Sequence, residues 1–440
     1  MAQNLAWGRL FQWHQPVTSL SWRTSTLPAL AEDQHSYLPY GLGRSYGDSC
    51  LNKDGVLVSS KQLTRFIHFD SKTGLLEVEA GVTLKQILEF AVPRGWFLPV
   101  TPGTKNVTYG GAVANDVHGK NHHSAGTFGC HTPWFYLLRS DGQYLKCSTL
   151  DNVDLYKATI GGLGLTGFIT AGAIQLKKIR TPWMDVDSFR YKNFDEFCEL
   201  SKRAADEYEY TVAWVDALAK GDKLGQGLFL AANHRDLPHS SGQDPYANQA
   251  PKLSIPVEFP NIALNPLSIK AFNFLYLNQQ RTPYKQSVQH YNPYFYPLDG
   301  IGTWNKIYGR RGFYQYQCAV PSEPEIMREI MTKIAHSDGG SFLTVLKEFG
   351  DIQSPGMLSF PMEGFTFALD FPNKGGETLK LLNELDALVR DAKGRVYPAK
   401  DARMSAESFA TFYPNWEHFS QFIDPAFSSS FWRRVTGTSA

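Results

Sequence analysis

Three glycine-rich segments between residues 39 and 169 carry the residue types most suited to holding a ligand. The first reads Pro39-Tyr40-Gly41-Leu42-Gly43-Arg44-Ser45-Tyr46-Gly47-Asp48-Ser49. Its glycines let the backbone approach a ligand closely and take positive φ. Successive amides in such a turn form a nest for a pyrophosphate, although a plain turn between strands would use the same residues. The spacing is neither GxGxxG ahead of a helix nor a Walker A loop, so Rossmann and P-loop readings fail. The second segment is Pro102-Gly103-Thr104, followed by Gly110-Gly111-Ala112-Val113-Ala114-Asn115-Asp116-Val117-His118-Gly119-Lys120-Asn121-His122-His123-Ser124. Small residues at 110–114 allow a flat cofactor to lie against the backbone. His118 and His122 stand four apart, but Gly119 weakens a helix there and no Glu follows as in HExxH. Hydrogen bonding to a cofactor or substrate therefore outweighs metal binding, and no metal site is assigned. The third segment, Gly161-Gly162-Leu163-Gly164-Leu165-Thr166-Gly167-Phe168-Ile169, holds too many glycines for a helix or a strand interior. Together the three describe a long, flat, phosphate-bearing ligand.

The elements that must position these segments are short. Residues 55–60 and 65–69 read as strands, and residues 75–80 alternate apolar and acidic side chains as a half-buried strand does. Asp70-Ser71-Lys72-Thr73-Gly74 supplies the turn between the latter two. Thr83-Leu84-Lys85-Gln86 matches a capping box ahead of a helix that Pro93 and Gly95 close. The fold class expected is α+β rather than a parallel βαβ series. In the C-terminal half, residues 313–320, 341–347, 364–371 and 395–397 read as strands. Helices lie between them at 324–336, opened by a second capping box at Ser322-Glu323-Pro324-Glu325, and at 377–392. That order is the ferredoxin-like βαββαβ unit, an antiparallel sheet with both helices on one face. Residues 253–295, apolar but broken by five prolines, are expected to form long loops or short helices.

Composition bounds the remaining possibilities. The 440 residues are 42% hydrophobic and 19% charged, which suits more than one packed core and carries no disorder signature. A net charge of +1 gives no general attraction to nucleic acid. The five cysteines form no CxxC pair and are odd in number, so neither a disulfide framework nor a zinc site is indicated, which suits a reducing compartment. The N-terminus lacks an apolar signal-peptide core, and no run is long and apolar enough for a transmembrane helix. The expected location is the cytoplasm, with room for association at the inner face of the membrane.

The segments Gly-Leu-Gly-Arg-Ser-Tyr-Gly-Asp, Pro-Gly-Thr, His-Gly-Lys-Asn-His-His-Ser-Ala-Gly and Gly-Leu-Thr-Gly resemble the FAD-binding domain of the vanillyl-alcohol-oxidase superfamily, of the PCMH type. Within it the chain is most similar to the decaprenylphosphoryl-β-D-ribose 2-oxidase family. The similarity extends through Tyr296-Pro297-Leu298-Asp299, Trp304-Asn305, Gln315-Tyr316-Gln317, Lys347, Leu358-Ser359-Phe360-Pro361 and Tyr397-Pro398-Ala399-Lys400-Asp401. The resemblance implies two lobes: residues 1–178 binding FAD, residues 179–394 binding substrate, and residues 395–440 returning to the FAD lobe. It also implies that loop 39–49 holds the FAD pyrophosphate. Gly103, Thr104, Thr108, Tyr109, Gly110, Gly111, Asn115, Asp116, Val117, His118, Gly119 and Ile169 would line the rest, with Tyr397 beside the isoalloxazine. Lys120, Trp214, Tyr296, Gln315, Gln317, Lys347, Thr366, Ala368 and Lys400 would face the substrate, with Tyr46, His118 and Lys400 as the catalytic set.

The implied reaction is oxidation of the C2 hydroxyl of a polyprenyl-phosphoryl pentose to a 2-keto sugar, with hydride passing to the flavin. A separate NAD(P)H-dependent short-chain reductase would complete an epimerisation to the arabinose form. Tyr46 and Lys400 could accept the hydroxyl proton, but both have ordinary pKa values of about 10, so burial or a neighbour must lower one of them. Lys120, Lys347 or Lys400 could hold a phosphate, whereas each lysine taken singly would more commonly be a solvated surface residue. Many relatives attach flavin covalently through a histidine in a Gly-Gly-His-Ser loop. Here that place reads Gly43-Arg44-Ser45, which implies dissociable FAD. The resembled family has a cysteine and an asparagine where this chain has Ala368 and Thr366, so covalent inhibitors aimed at that cysteine should fail here. The other readings are an oxidase of a free sugar, alditol or aldonolactone, and a flavin-free sugar-binding protein.

Overall fold

The computed structural model describes residues 6–31, 34–239, 253–255, 257–260, 264–337, 341 and 343–438. Near the N-terminus the alternating strand Leu75–Glu79 lies between Phe66–Phe69 and Phe168–Gln175. Trp134–Leu138 and Tyr144–Ser148 complete an antiparallel five-stranded sheet. The turn at Asp70 forms as its sequence dictates, with the Lys72 amide donating to the Asp70 carboxylate at 2.8 Å. The capping box also forms: Thr83 Oγ1 accepts from the Gln86 amide at 3.1 Å, and Gln86 Oε1 accepts from the Thr83 amide at 2.9 Å. The helix Leu84–Ala91 follows. A second sheet, Val17–Ser19, Val56–Ser59 and Tyr37–Tyr40, is parallel. Short alternating strands gave no hint of that pairing, which long connections rather than hairpins make here.

The remaining large sheet has eight strands, every neighbouring pair antiparallel. Two sets of four strands share one spatial order. In chain order the first set is Trp183–Tyr191, Tyr210–Val215, Gly227–His234 and Tyr284–His290. The second is Phe313–Val320, Thr344–Phe349, Gly364–Pro372 and Arg395–Val396. In each set the fourth strand lies beside the first, then come the third and the second. The two second strands meet at Ala213 and Leu346 and join the sets into one sheet. In the second set both connecting helices, Pro324–His336 and Gly376–Asp391, bury Met327, Ile330, Leu382 and Leu385 in one core. Because side chains alternate along a strand, Tyr316, Cys318 and Val320 face that core while Gln315 and Gln317 face away from it.

Two local expectations fail. The helix at Pro324 starts one residue later than a box on Ser322 requires. Pro324 occupies the first helical position, and Glu323 before it is the N-cap but makes no side-chain cap. Ser322 instead donates to Glu348 at 3.4 Å. The stretch 253–295 is not mainly loop. It contains the 13-residue helix Pro266–Asn278 and the seven-residue strand Tyr284–His290, while residues 256 and 261–263 fall outside the described residues. Pro266 starts its helix rather than breaking it, with Asn265 capping the amides of Leu267 and Ser268 at 3.0 and 3.1 Å.

After the last strand the chain returns to the first sheets through the helices Ala406–Phe412, Trp416–Ser420 and Ser430–Thr436. The Tyr37 amide donates to Ala426 O at 2.7 Å, and the Ser140 amide to Asp424 Oδ2 at 2.8 Å. Arg434 grips both carboxylate oxygens of Asp48, at 2.8 and 2.7 Å, and reaches Asp401 at 2.8 Å. No helix among the described residues is long and apolar enough to cross a membrane.

Candidate active site

A cavity of about 1360 Å³ opens between the glycine segments and the face of the large sheet that turns away from the helical core. Single-ligand pockets usually span about 300–1,000 Å³, so this one has room for a large cofactor and a second molecule. Its first wall is the loop leaving the strand Tyr37–Tyr40. Pro39, Tyr40, Gly41, Leu42, Gly43, Arg44, Ser45, Tyr46 and Ser49 all line it. Gly43 has φ +61°, which only glycine adopts without strain. Among the described residues the amides of Gly43, Arg44 and Ser45 find no protein acceptor. A Cβ on Gly41 would come within 2.5 Å of Thr108 Oγ1, so glycine keeps this wall flat. Arg44 is already committed: its guanidinium lies 4.2 Å over the Trp7 ring, and its Nε donates to Asn106 O at 3.2 Å.

The second segment supplies the adjoining wall. Thr108 caps the short helix Tyr109–Ala114 by accepting from the Gly111 amide at 3.1 Å. Gly103, Thr104, Thr108, Gly110, Gly111, Asn115, Val117, His118, Gly119 and Lys120 line the cavity, as does Ile169 at the end of the third segment. Tyr397 closes this side, its hydroxyl donating to Asn115 O at 2.8 Å and its ring stacked on Phe360 at 4.7 Å.

The floor comes from three adjacent strands and is set by their register. Gln317 pairs with Ala368 and Gln315 with Asp370, while Lys347 pairs with Thr366. Gln317 Nε2 lies 2.9 Å from His118 Nε2 and 3.3 Å from Thr366 Oγ1. With Gln317 as donor, the His118 proton resides on Nδ1, which is buried without a protein partner. Burial, and after it Lys347, His122 and Lys400, hold the His118 imidazole well below its usual pKa, so it is neutral. Lys347 donates to Gly119 O at 3.0 Å, and Lys120 donates to Tyr294 O. Burial pushes both ammonium groups down to about 7; Lys347 adds to the shift of Lys120, and Lys400 to that of Lys347. Lys120, Lys347 and Lys400 are therefore half-buried cavity groups, not the fully solvated ones that lysines usually are. Lys400 lies with Nζ 4.0 Å over the Tyr46 ring. Burial lowers the pKa of Lys400 against the opposing charge of Asp370. For Tyr46, burial and then Asp370 raise it well above the ordinary phenol value. The requirement for a lowered pKa is met at Lys400 and not at Tyr46.

Six residues singled out from the sequence lie behind these walls rather than on them. A Cβ on Gly47 would strike Asp401 O at 1.8 Å, so Gly47 packs the loop against the C-terminal segment. Asp48 is ion-paired to Arg434. Tyr109 donates to Ala173 O at 3.0 Å within the first core. Asp116 accepts from the Gly129 amide at 2.9 Å and from the hydroxyls of Ser354 and Ser359. Tyr296 shares a 2.6 Å hydrogen bond with Thr101, and Thr366 supports Gln317 from beneath. Trp214, also singled out, does line the cavity, at the end away from the glycine loops.

Sequence reasoning missed Asp370. It is buried, lines the cavity, and accepts from Gln315 Nε2 at 2.6 Å and from the Tyr308 hydroxyl at 3.2 Å. Burial raises its pKa against these bonds and Lys400. The signal was available: Asp370 falls in phase with Thr366 and Ala368 along one strand, so all three share a face. Asp299, quoted within the Tyr296–Asp299 motif but given no role, accepts from Thr104 Oγ1 at 2.7 Å and the Lys105 amide at 2.9 Å.

Residues 24–148 match the family model described as FAD binding domain. The chain is 38% identical over 421 residues to decaprenylphosphoryl-β-D-ribose oxidase of Mycolicibacterium smegmatis, covering 92% of this chain and 90% of that one. It is 33% identical over 373 residues to an uncharacterized protein of Streptomyces coelicolor encoded in the mprA 5′ region, covering 80% of this chain and 100% of the other. A shorter similarity, 29% over 114 residues, relates 26% of this chain to 22% of human Δ(24)-sterol reductase. FAD is the cofactor. The unpartnered amides at 43–45, the flat wall at Gly41 and Thr108, and the unpartnered His118 Nδ1 fit a long dinucleotide with a flat ring system.

Proposed function

The chain belongs to the family of decaprenylphosphoryl-β-D-ribose oxidases, and from that premise we propose that it oxidises the C2 hydroxyl of a polyprenyl-phosphoryl ribose to the 2-keto sugar. It is an FAD-dependent oxidoreductase. When bound, FAD supplies the hydride acceptor, at N5. Lys400, as the neutral amine, takes the hydroxyl proton, and the Tyr46 phenol beneath it stays protonated. Gln317 and neutral His118 hydrogen-bond the sugar hydroxyls. Lys120 and Lys347 hold the phosphate.

The observation that carries this reading is the state of those two lysines. Each is half-buried on the cavity wall, donates to a backbone carbonyl, and among the described residues forms no ion pair with a carboxylate. Two half-buried ammonium groups that lack a counter-ion and are lowered toward neutrality suit a site that an anion joins. An oxidase of a neutral free sugar has no use for that arrangement.

Further parts of the reading rest on the same premise. The FAD is held without a covalent bond, since no histidine stands at 43–45. We divide the chain into an FAD lobe (1–178), a substrate lobe (179–394) whose C-terminal half is a ferredoxin-like unit, and a returning segment (395–440). The keto product would pass to a separate NAD(P)H-dependent short-chain reductase, completing an epimerisation to the arabinose form. Peripheral contact with a membrane would give access to a lipid-linked substrate.

The test is anaerobic mixing of the holoenzyme with a prenyl-phosphoryl ribose. Bleaching of the flavin band, with a product two hydrogens lighter at the sugar, is expected. Equal bleaching by free ribose, an alditol or an aldonolactone would replace this reading with that of a soluble sugar oxidase.

A further inference from the structure

The cavity continues past Lys120 and Lys347 into a slot between the large sheet and the helix Pro266–Asn278. On the sheet side, Val212 pairs with Leu230 and Trp214 with Leu228, and all four side chains line the cavity. Their neighbours Ala213, Val215, Phe229 and Ala231 point into the core on the opposite face. On the helix side the slot is lined by Ile269, Phe272 and Tyr276. The helix touches the sheet through Tyr276, whose ring lies 4.6 Å from that of Trp214, and buries Ile269 and Leu277. It is tethered by polar bonds at two places: Asn273 Nδ2 donates to Asp216 Oδ1 at 2.7 Å, and beyond its C-terminus Gln280 exchanges two hydrogen bonds with Ser188, at 2.6 and 3.0 Å. The outer surface of the same helix is apolar as well, with Leu267 80%, Phe274 66% and Leu275 69% exposed. A helix that is apolar on its outer face as well as its inner one belongs in an apolar setting: Ile269 and Leu277 are buried, whereas Leu267, Phe274 and Leu275 stand exposed.

We propose that this slot is the binding site for the first isoprene units of the substrate's lipid tail. The inference rests on the substrate reading above and adds to it the path the tail takes. An apolar passage beginning at two half-buried lysines without a carboxylate partner among the described residues matches an isoprenoid chain leaving a phosphate: the anion stays at Lys120 and Lys347, and the chain runs out under the helix. The exposed apolar face then meets the part of the tail that the slot cannot cover.

The test uses the FAD-loaded full chain and two probes, inorganic phosphate and farnesyl phosphate, by equilibrium dialysis. Farnesyl phosphate should bind at least about tenfold more tightly than inorganic phosphate, as burial of even part of its apolar surface requires. The Leu230→Trp variant, which fills the slot from the sheet side, should abolish that advantage and leave inorganic phosphate binding and flavin content unchanged. Should Leu230→Trp fail to fold, Phe272→Asp on the partly exposed helix serves instead, with flavin content and melting temperature as the fold control. Equal affinity for the two probes, or an advantage that survives a folded slot variant, would overturn the proposal. The two readings fail separately. If ribose 1-phosphate bleaches the flavin while a farnesyl tail adds nothing, the slot assignment falls and the substrate chemistry stands. If farnesyl phosphate binds in the slot while no ribosyl compound bleaches the flavin, the sugar reading falls and the slot stands.

Discussion

Lys400 holds its ammonium 4.0 Å above the ring of Tyr46, and the backbone fastens the same pair through the Tyr46 amide, which donates to Ala399 O at 2.9 Å. Two residues far apart in the chain thus meet at the cavity as one unit, one on the first glycine loop and one on the returning C-terminal segment. Replacing Lys400 with Met removes the proposed proton acceptor while keeping the stem that packs on Tyr46. The rate of flavin bleaching should fall by about 10²–10⁴-fold, with FAD content unchanged. Tyr46→Phe keeps the ring and should cost much less. Equal losses in the two variants would move the proton-accepting role away from Lys400.

Asp370 sets the charge state of Lys400. Burial lowers the lysine's pKa, and the Asp370 carboxylate raises it back. Removing that negative charge with Asp370→Asn lets the pKa of Lys400 fall further. The reaction needs the neutral amine, so the rate rises with pH through this pKa, and the acid limb of the kcat profile should move to lower pH in the variant. A limb that stays in place would show that Asp370 does not act through Lys400.

Lys120 and Lys347 act in the opposite sense. Burial pushes both down to about 7 in the free protein. Above that pH they lose the charge that attracts phosphate, so the KM for a phosphorylated substrate should rise with increasing pH. Lys120→Met or Lys347→Met should raise KM about 10–100-fold, the value of one charge-assisted hydrogen bond, with a smaller effect on kcat. The same variants should be indifferent to an unphosphorylated sugar, which separates phosphate binding from general damage to the site.

Arg434 is a structural clamp on loop 39–49, the proposed FAD loop. It satisfies Asp48 and Asp401, both almost wholly buried. Arg434→Met would strand two buried carboxylates and should destabilise the fold by about 3–5 kcal/mol. Denaturant titration measures this directly, and FAD affinity should fall in parallel because loop 39–49 is released. An Arg434→Met/Asp48→Asn double variant should recover part of the loss.

The glycine loops that line the cavity could be read from the sequence because glycine excess is a backbone signal that needs no tertiary context. The floor was legible only in part. Gln315, Gln317, Lys347 and Ala368 came from resemblance, and their arrangement follows from a strand register that no single strand encodes. Asp370 was hidden because a carboxylate in a strand ordinarily marks the solvent face, whereas here that face is the cavity. The strand Tyr284–His290, Tyr-Lys-Gln-Ser-Val-Gln-His, was missed for the same reason. One of its faces carries Lys285, Ser287 and Gln289 into the cavity, so the apolar alternation that betrays a strand is absent. The prolines of 253–295 misled because Pro266 stands at a first helical position, where proline favours the helix.

The most direct test of the proposed chemistry is the primary isotope effect on anaerobic flavin bleaching, measured with a prenyl-phosphoryl ribose deuterated at C2. Hydride abstraction from C2 predicts that bleaching slows severalfold with the C2-deuterated compound and is unchanged when deuterium is placed at C1 or C3. Bleaching that is insensitive to C2 deuteration and slowed by deuterium at another carbon would contradict it.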